Sequence, residues 1–198
     1  MNKIKVLVQG YAKSSKEGEL ASSSCVLIKD GKLNIIIDPG MNKQLLINSL
    51  KKEKLKPEKV NYVVLTHYHL DHSLLTGFFN NAQVLDDSSI YSFLGKISDH
   101  DGKIPGTNIE IIKTPGHDPF HCSVLIKTQK SGNIIIAGDI FWWPDSKENN
   151  IKKDIKSLIN MKDPYMKDKK QLTDSRKKIL KIADYIIPGH GRMFKVEK

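Results

Sequence analysis

Thr66-His67-Tyr68-His69-Leu70-Asp71-His72 places three imidazoles and a carboxylate within residues 67–72. Directly before it runs Val60-Asn61-Tyr62-Val63-Val64-Leu65, which reads as a strand over 60–66. Imidazole and carboxylate are ligands that borderline-soft divalent ions prefer. Crowded together in an apolar setting, such groups cost free energy unless something binds them. The stretch therefore predicts a metal site on the loop that leaves a buried strand.

Working outward, the chain holds seven histidines, at 67, 69, 72, 100, 117, 121 and 190. Two outside the cluster sit in glycine turns, Thr114-Pro115-Gly116-His117 and Pro188-Gly189-His190-Gly191. Ala137-Gly138-Asp139 ends another apolar run, and Asp38-Pro39-Gly40 ends Ile35-Ile36-Ile37. Such a continuous apolar triplet is the pattern of a strand buried on both faces.

The remaining pattern predicts strands over 3–9 and 24–38, the latter turning at Lys29-Asp30-Gly31-Lys32. A helix is expected over 42–53, where Leu45, Leu46 and Leu50 have helical spacing, and another from Ser73 to Phe79. A short strand follows at Ala82–Leu85, and Ser88–Leu94 reads as a helical turn. Strands are expected at 109–114, 122–128 and 133–138, helices at 151–161 and 173–184, and a final strand at Tyr185–Ile187. Every candidate ligand then falls at a strand's end or on the loop after it, where a rigid sheet fixes donors while leaving access for substrate.

The chain of 198 residues reads as a single domain, 1–198, with 39% hydrophobic and 27% charged residues. No apolar stretch reaches membrane-spanning length, and charges interrupt the N-terminal apolar run, so no membrane partner and a cytoplasmic location are the expectation. Cys25 and Cys122 each open an apolar run and read as buried reduced thiols. The net charge of +10 fits RNA or another anionic substrate. It also fits a solvated surface: Arg176 and Arg192 are the only arginines, and the lysines are spread along the chain. Oligomeric state is not legible.

The order His67-x-His69-x-Asp71-His72, then His117, Asp139 and His190, resembles the metallo-β-lactamase superfamily. The resemblance covers almost the whole chain and includes the Asp38, Thr114–His117 and Gly138-Asp139 turns. It implies an α/β (α+β) chain folded as a four-layer αββα sandwich. It also implies a dinuclear site: His67, His69 and His117 on one ion, Asp71, His72 and His190 on the other, Asp139 between them. Asp38 would stand behind the ligands, hydrogen-bonding an imidazole or a neighbouring backbone group. The implied chemistry is hydrolysis by a metal-bridging hydroxide, with His67, His69 and Asp71 at its centre. Two Zn(2+) ions suit these donors; Fe and Mn also do.

The superfamily handles several electrophiles, so the fold does not choose the substrate. Dedicated metallo-β-lactamases usually lack an aspartate at the position of Asp139, which makes β-lactams incidental. Gly138-Asp139-Ile140-Phe141, Ser175-Arg176 and the ending Ala183–Gly191 look most like the metallo-β-lactamase domain-containing protein 1 branch, which is associated with RNA cleavage. That resemblance and the basic charge favour a phosphodiester, endoribonuclease-like reading. The alternative is a thioester or lactone hydrolase of glyoxalase-II type; the non-enzymatic one is a structural or sensing metal protein.

Tyr68, His121, Trp142, Trp143 and Arg176 are candidate pocket residues. Each has a plainer reading: Tyr68 as a shaper of the ligand loop, His121 as a polar-core histidine, the tryptophans as loop packing, Arg176 as surface solvation. His100 reads as a loop residue that could line the mouth of the site.

Overall fold

The computed structural model describes residues 2–197. Strand β1 (Lys3–Val8) is followed by a polar ribbon, β2 (Tyr11–Ser15) and β3 (Gly18–Ser22), and then by a hairpin of β4 (Cys25–Asp30) and β5 (Leu33–Ile37). Gly31, at φ +57°, makes the tight turn between β4 and β5. Helix α1 (Lys43–Lys52) starts where the Asn42 side chain accepts the Leu45 N–H, and it buries Leu46 and Leu50. Next come β6 (Tyr62–Val64), the short helix α2 (Leu70–Ser73), and β7 (Gln83–Leu85), β8 (Ser89–Tyr91) and β9 (Ile97–Asp99). These complete a seven-stranded sheet in the order β1-β4-β5-β6-β7-β8-β9.

The second sheet contains β10 (Glu110–Lys113), β11 (Cys122–Thr128) and β12 (Gly132–Gly138). Helices α3 (Ile155–Ile159) and α4 (Lys169–Ile182) precede its last strands, β13 (Tyr185–Pro188) and β14 (Phe194–Lys195). Its order is β10-β11-β12-β13-β14.

Alternation along the strands explains the layering. Val26, Ile28, Ile35 and Ile37 point inward and meet Val124, Ile126, Ile134 and Ile136 of the other sheet. Their neighbours Leu27 and Ile36 point outward, beneath Leu46 and Leu50 of α1. Leu125 and Ile135 do the same on the far side, beneath Leu172, Ile179 and Leu180 of α4. The runs Ile35–Ile37 and Ile134–Ile136 are continuously apolar because both faces are covered, each buried side chain contributing roughly 1.5–3 kcal/mol. The result is the αββα sandwich. No helix among the described residues is long and apolar enough to cross a membrane.

Several local expectations need correction. The helix expected from Ser73 to Phe79 is instead α2, over Leu70–Ser73, followed by a separate 3-10 turn at Thr76–Phe79. Ser88–Leu94 is not helical: Asp86 Oδ1 accepts the N–H groups of Ser88 (2.9 Å) and Ser89 (2.7 Å), and the chain then runs as β8 into a hairpin with β9. Within 151–161 only Ile155–Ile159 is α-helical, because Asp154 caps it. The last helix begins at Lys169 rather than 173, because the Asp168 side chain accepts the Gln171 N–H of its first turn. Asp174 lies on the exposed face and pairs with Lys170 at 3.1 Å. The β2–β3 ribbon and β14 have no counterpart among the expected elements, the ribbon because most of its residues are polar and exposed.

Candidate metal centre

Strands β5, β6 and β7 run parallel, and so do β12 and β13. β10 and β12 each pair antiparallel with β11, so β10 shares the direction of β12. The ends of these strands deliver Asp38, the 66–72 loop, His117, Asp139 and His190 to one place, as carboxyl ends of parallel strands commonly do.

Asp38 anchors the assembly from behind. It sits at φ +47°, a conformation that few side chains adopt without support. Its Oδ1 accepts the Thr66 N–H at 2.8 Å; its Oδ2 accepts the Thr66 hydroxyl at 2.7 Å and the His72 Nδ1–H at 2.8 Å. Thr66 Oγ1, its proton committed to Asp38, accepts the His67 Nδ1–H at 3.1 Å. His117 gives its Nδ1–H to Asp163 at 2.7 Å, and His190 gives its own to the Tyr11 carbonyl at 2.9 Å. Four rings are thereby fixed in the tautomer that leaves Nε2 as a lone-pair donor.

Those Nε2 atoms converge. His67 Nε2 and His117 Nε2 lie 3.0 and 3.2 Å from His69 Nδ1. A tetrahedral ion with metal–nitrogen bonds of about 2.0 Å has ligand–ligand edges of about 3.3 Å, so the spacing fits one ion. His190 Nε2 lies 3.1 Å from Asp71 Oδ2, and His72 Nε2 lies 4.0 Å from the same oxygen. Asp139 stands between the groups: Oδ1 is 3.2 Å from His72 Nε2, and Oδ2 is 3.6 Å from both His117 Nε2 and His190 Nε2.

Two observations show that this donor set suits cations. His72 Nε2 and Asp139 Oδ1 are buried and have no hydrogen-bond partner, although they face each other. Charge tells the same story. Burial alone would lower the His72 and His190 imidazoles, yet Asp139 and neighbouring carboxylates hold His72 well above the ordinary range and push His190 up to about 9. Asp139 is held well below the carboxylate range by His72 and His190 against the opposing effect of burial. Considered as side chains alone, the cluster draws positive charge to the places where divalent ions would stand. His67 behaves oppositely: burial, then the charge of His72, keeps it well below the ordinary range, neutral and ready to ligate.

The donors open into a cleft of about 640 Å³. His69, Asp71, His117, Asp139 and His190 form its floor. Leu20 and Ala21 from the β2–β3 ribbon, Met41, Leu70, Trp142 and Tyr165 form its walls, with Lys13 and Glu19 also lining it. Leu20, Met41, Leu70 and Tyr165 are all exposed.

Of the five candidate pocket residues, only Trp142 lines this cleft. Tyr68 turns away and donates its hydroxyl to Asp86. His121 is buried behind the site, accepting the Asp139 N–H at 3.1 Å. Trp143 is buried against Phe194, with Nε1 donating to Glu148 at 2.6 Å. Arg176 is also buried; it donates to the carbonyls of Ile140 (2.7 Å) and Met161 (2.5 Å), clamping two loops onto α4. His100 holds the Asp86 carbonyl through Nε2 at 3.1 Å and does not line the cleft. Both cysteines are free and buried. Sequence reasoning missed Asp163, Tyr165, Leu20 and Met41. The first two lie on a loop with no periodicity, and the other two come from a polar ribbon and a turn.

Fold and donor cluster together define a metal-binding hydrolase scaffold. The family model described as the metallo-beta-lactamase superfamily matches residues 18–85. A protein of Methanocaldococcus jannaschii whose name assigns it to the metallo-hydrolases is 32% identical over 166 residues, covering 83% of this chain and 74% of its own. Metallo-beta-lactamase domain-containing protein 1 of Xenopus laevis is 29% identical over 204 residues, 98% of this chain and 82% of that protein. Among solved structures, AidC, a dizinc quorum-quenching lactonase, shares the fold with a TM-score of 0.65 at 17% identity, covering 91% of this chain and 77% of its own. The chain belongs to the metallo-beta-lactamase superfamily and is one of its metallo-hydrolases.

Proposed function

We propose that this chain is a dinuclear metal-dependent hydrolase acting on a carboxylic ester, lactone or thioester with an apolar arm. The observation that carries the reaction class is the convergence of donor atoms whose other ring nitrogens are already committed to protein acceptors. His67, His69 and His117 would hold one ion; Asp71, His72 and His190 the other; Asp139 would reach both. Zinc fits the donor types best. When bound, such a pair lowers the pKa of water toward about 7 and polarises the bond to be cleaved.

The chain's own residues supply orientation and access. Asp38, Thr66, Asp163 and the Tyr11 carbonyl fix four rings, so little reorganisation remains for the reaction. Asp71, whose side chain is 22% exposed, would help hold the second ion through Oδ2, the oxygen that faces His72 and His190, and it borders the cleft where substrate would lie. Leu20, Met41, Leu70, Trp142 and Tyr165 exclude water around an apolar arm. A structural or sensing role fits poorly, because structural sites are closed and this one opens to a cleft.

The walls move the preference from phosphodiester to acyl substrates. Among the described residues Lys13 is the one lysine or arginine that lines the cleft, whereas a nucleic-acid groove needs several. The phosphodiester reading keeps one supporting observation, the +10 charge with Lys147, Lys162 and Lys169 lining the neighbouring groove beyond Trp142. The deciding experiment reconstitutes the protein with Zn(II) and compares acyl-chain lactones and thioesters, nitrocefin and single-stranded RNA. Preferred turnover of lactone or thioester, rising with chain length, supports the acyl reading. Salt-sensitive RNA cleavage with no acyl turnover would replace it.

A further inference from the structure

We infer that His121 is a positioning residue for the Asp139 carboxylate, its Nε2 held as an acceptor by a one-way chain of hydrogen bonds that begins at the Asp139 N–H, just past β12, and ends on the Ala137 carbonyl within it. The inference rests on the dinuclear reading above.

The parallel pairing of β12 with β13 shifts register between Ile136 and Gly138. The backbone then turns through Gly138 at φ +54°. Beyond that turn the Asp139 N–H meets His121 Nε2 at 3.1 Å rather than a strand carbonyl. A backbone N–H can only donate, so Nε2 carries the lone pair and the ring proton lies on Nδ1. Nδ1 is 2.9 Å from Thr114 Oγ1, which therefore accepts. Ser123 Oγ is 2.9 Å from Thr114 Oγ1 and 3.1 Å from the Ala137 carbonyl. The carbonyl can only accept, so the Ser123 proton goes there and the Thr114 proton goes to Ser123. The chain closes on Ala137, two residues before its origin.

His121, Thr114 and Ser123 are each at most 1% exposed, so water does not substitute for a lost link. The ring lies close against the Gly138 backbone, where a Cβ would fall 2.6 Å from His121 Nε2, so a side chain at 138 would displace it. The ring centroid stands only 5.1 Å from that of His67, yet its one lone pair is committed, so His121 is not a donor to an ion. Its role is to hold the Asp139 peptide at the angle that sets the carboxylate between His72, His117 and His190.

The test is stepwise Zn(II) affinity by competition with a chromophoric chelator, on wild type, His121→Gln, His121→Asn and His121→Phe. Gln places an acceptor near the Nε2 position; Asn reaches only toward Thr114; Phe keeps the ring without either bond. The melting temperature of each ion-free variant reports its fold. The weaker of the two Zn(II) affinities should fall about 10–100-fold in Asn and Phe and be largely restored in Gln. Thr114→Val should fall in the same direction and Thr114→Ser should recover, which keeps the test informative if a His121 variant fails to fold. Wild-type affinity for both ions in folded Phe and Thr114→Val variants would overturn the positioning role alone. Failure of the wild type to take two ions would overturn the dinuclear reading and this inference with it.

Discussion

Asp163 accepts the Nδ1–H of His117 at 2.7 Å, across 46 positions of sequence. The same carboxylate accepts the Tyr165 N–H at 3.0 Å through its other oxygen. One buried side chain thus ties an imidazole of the donor cluster to the loop that carries a wall of the cleft. Asp163→Ala should weaken Zn(II) binding at the His67–His69–His117 group about 10–100-fold. It should also raise KM, because Tyr165 loses its anchor. Calorimetric Zn(II) titration with steady-state kinetics checks both.

Asp71→Ala should abolish turnover while leaving the fold formed, since Asp71 faces the cleft and its carboxylate packs against His190 rather than into a core. Circular dichroism melting within a few degrees of wild type, with no hydrolysis in a contaminant-free preparation, is the expected pair of results. Activity at the wild-type level would remove Asp71 from the reaction.

Asp86 gives a pH-dependent stability prediction. Burial would raise its carboxyl, but donors from Tyr68, Tyr91 and the Ser88 and Ser89 backbone hold it below the carboxylate range. A folded value depressed below the unfolded one, about 3.9, stabilises the fold above that pH. That contribution is lost as pH falls through the folded value. Asp86→Asn should therefore cost roughly 1–3 kcal/mol near neutrality, and the gap from wild type should shrink below about pH 4. Urea unfolding at several pH values measures this; a gap independent of pH would contradict it.

The apolar walls predict substrate selectivity. Leu20→Asp should raise KM for long-chain lactones or thioesters about tenfold or more while leaving kcat within about threefold, because Leu20 lines the cleft wall where the proposed arm would lie and is not one of the donor residues. An equal loss for short and long chains would show that the ribbon does not hold the arm.

Cys25→Ser should leave turnover unchanged. The thiol is free and fully buried, and burial pushes it well above its ordinary range, away from reactive thiolate. A hydroxyl placed there without a partner should lower stability by about 1–3 kcal/mol. A fall in kcat at unchanged stability would give the thiol another role.

The donors were legible because their chemistry is local: His67 to His72 announce themselves, and glycine turns mark His117, Asp139 and His190. The sandwich was legible for a similar reason, since Ile35–Ile37 and Ile134–Ile136 can be continuously apolar only if both faces are covered. Residues that work through tertiary contact were not legible. Asp163 reads as a loop acid until His117 arrives beside it, and Leu20 belongs to a polar hairpin without an apolar stripe. Arg176 and Trp143 misled because neither the helix stripe nor the aromatic run reveals which side faces the cleft.

Metal stoichiometry tests the account most directly. Ion-free protein reconstituted with Zn(II), freed of excess metal and analysed by plasma mass spectrometry, should carry two ions per chain. His190→Ala should carry one and lose turnover. A wild-type chain that hydrolyses substrate while binding no ion, or two ions retained in a variant lacking Asp71, His72 and His190 together, would contradict the assignment of the donors.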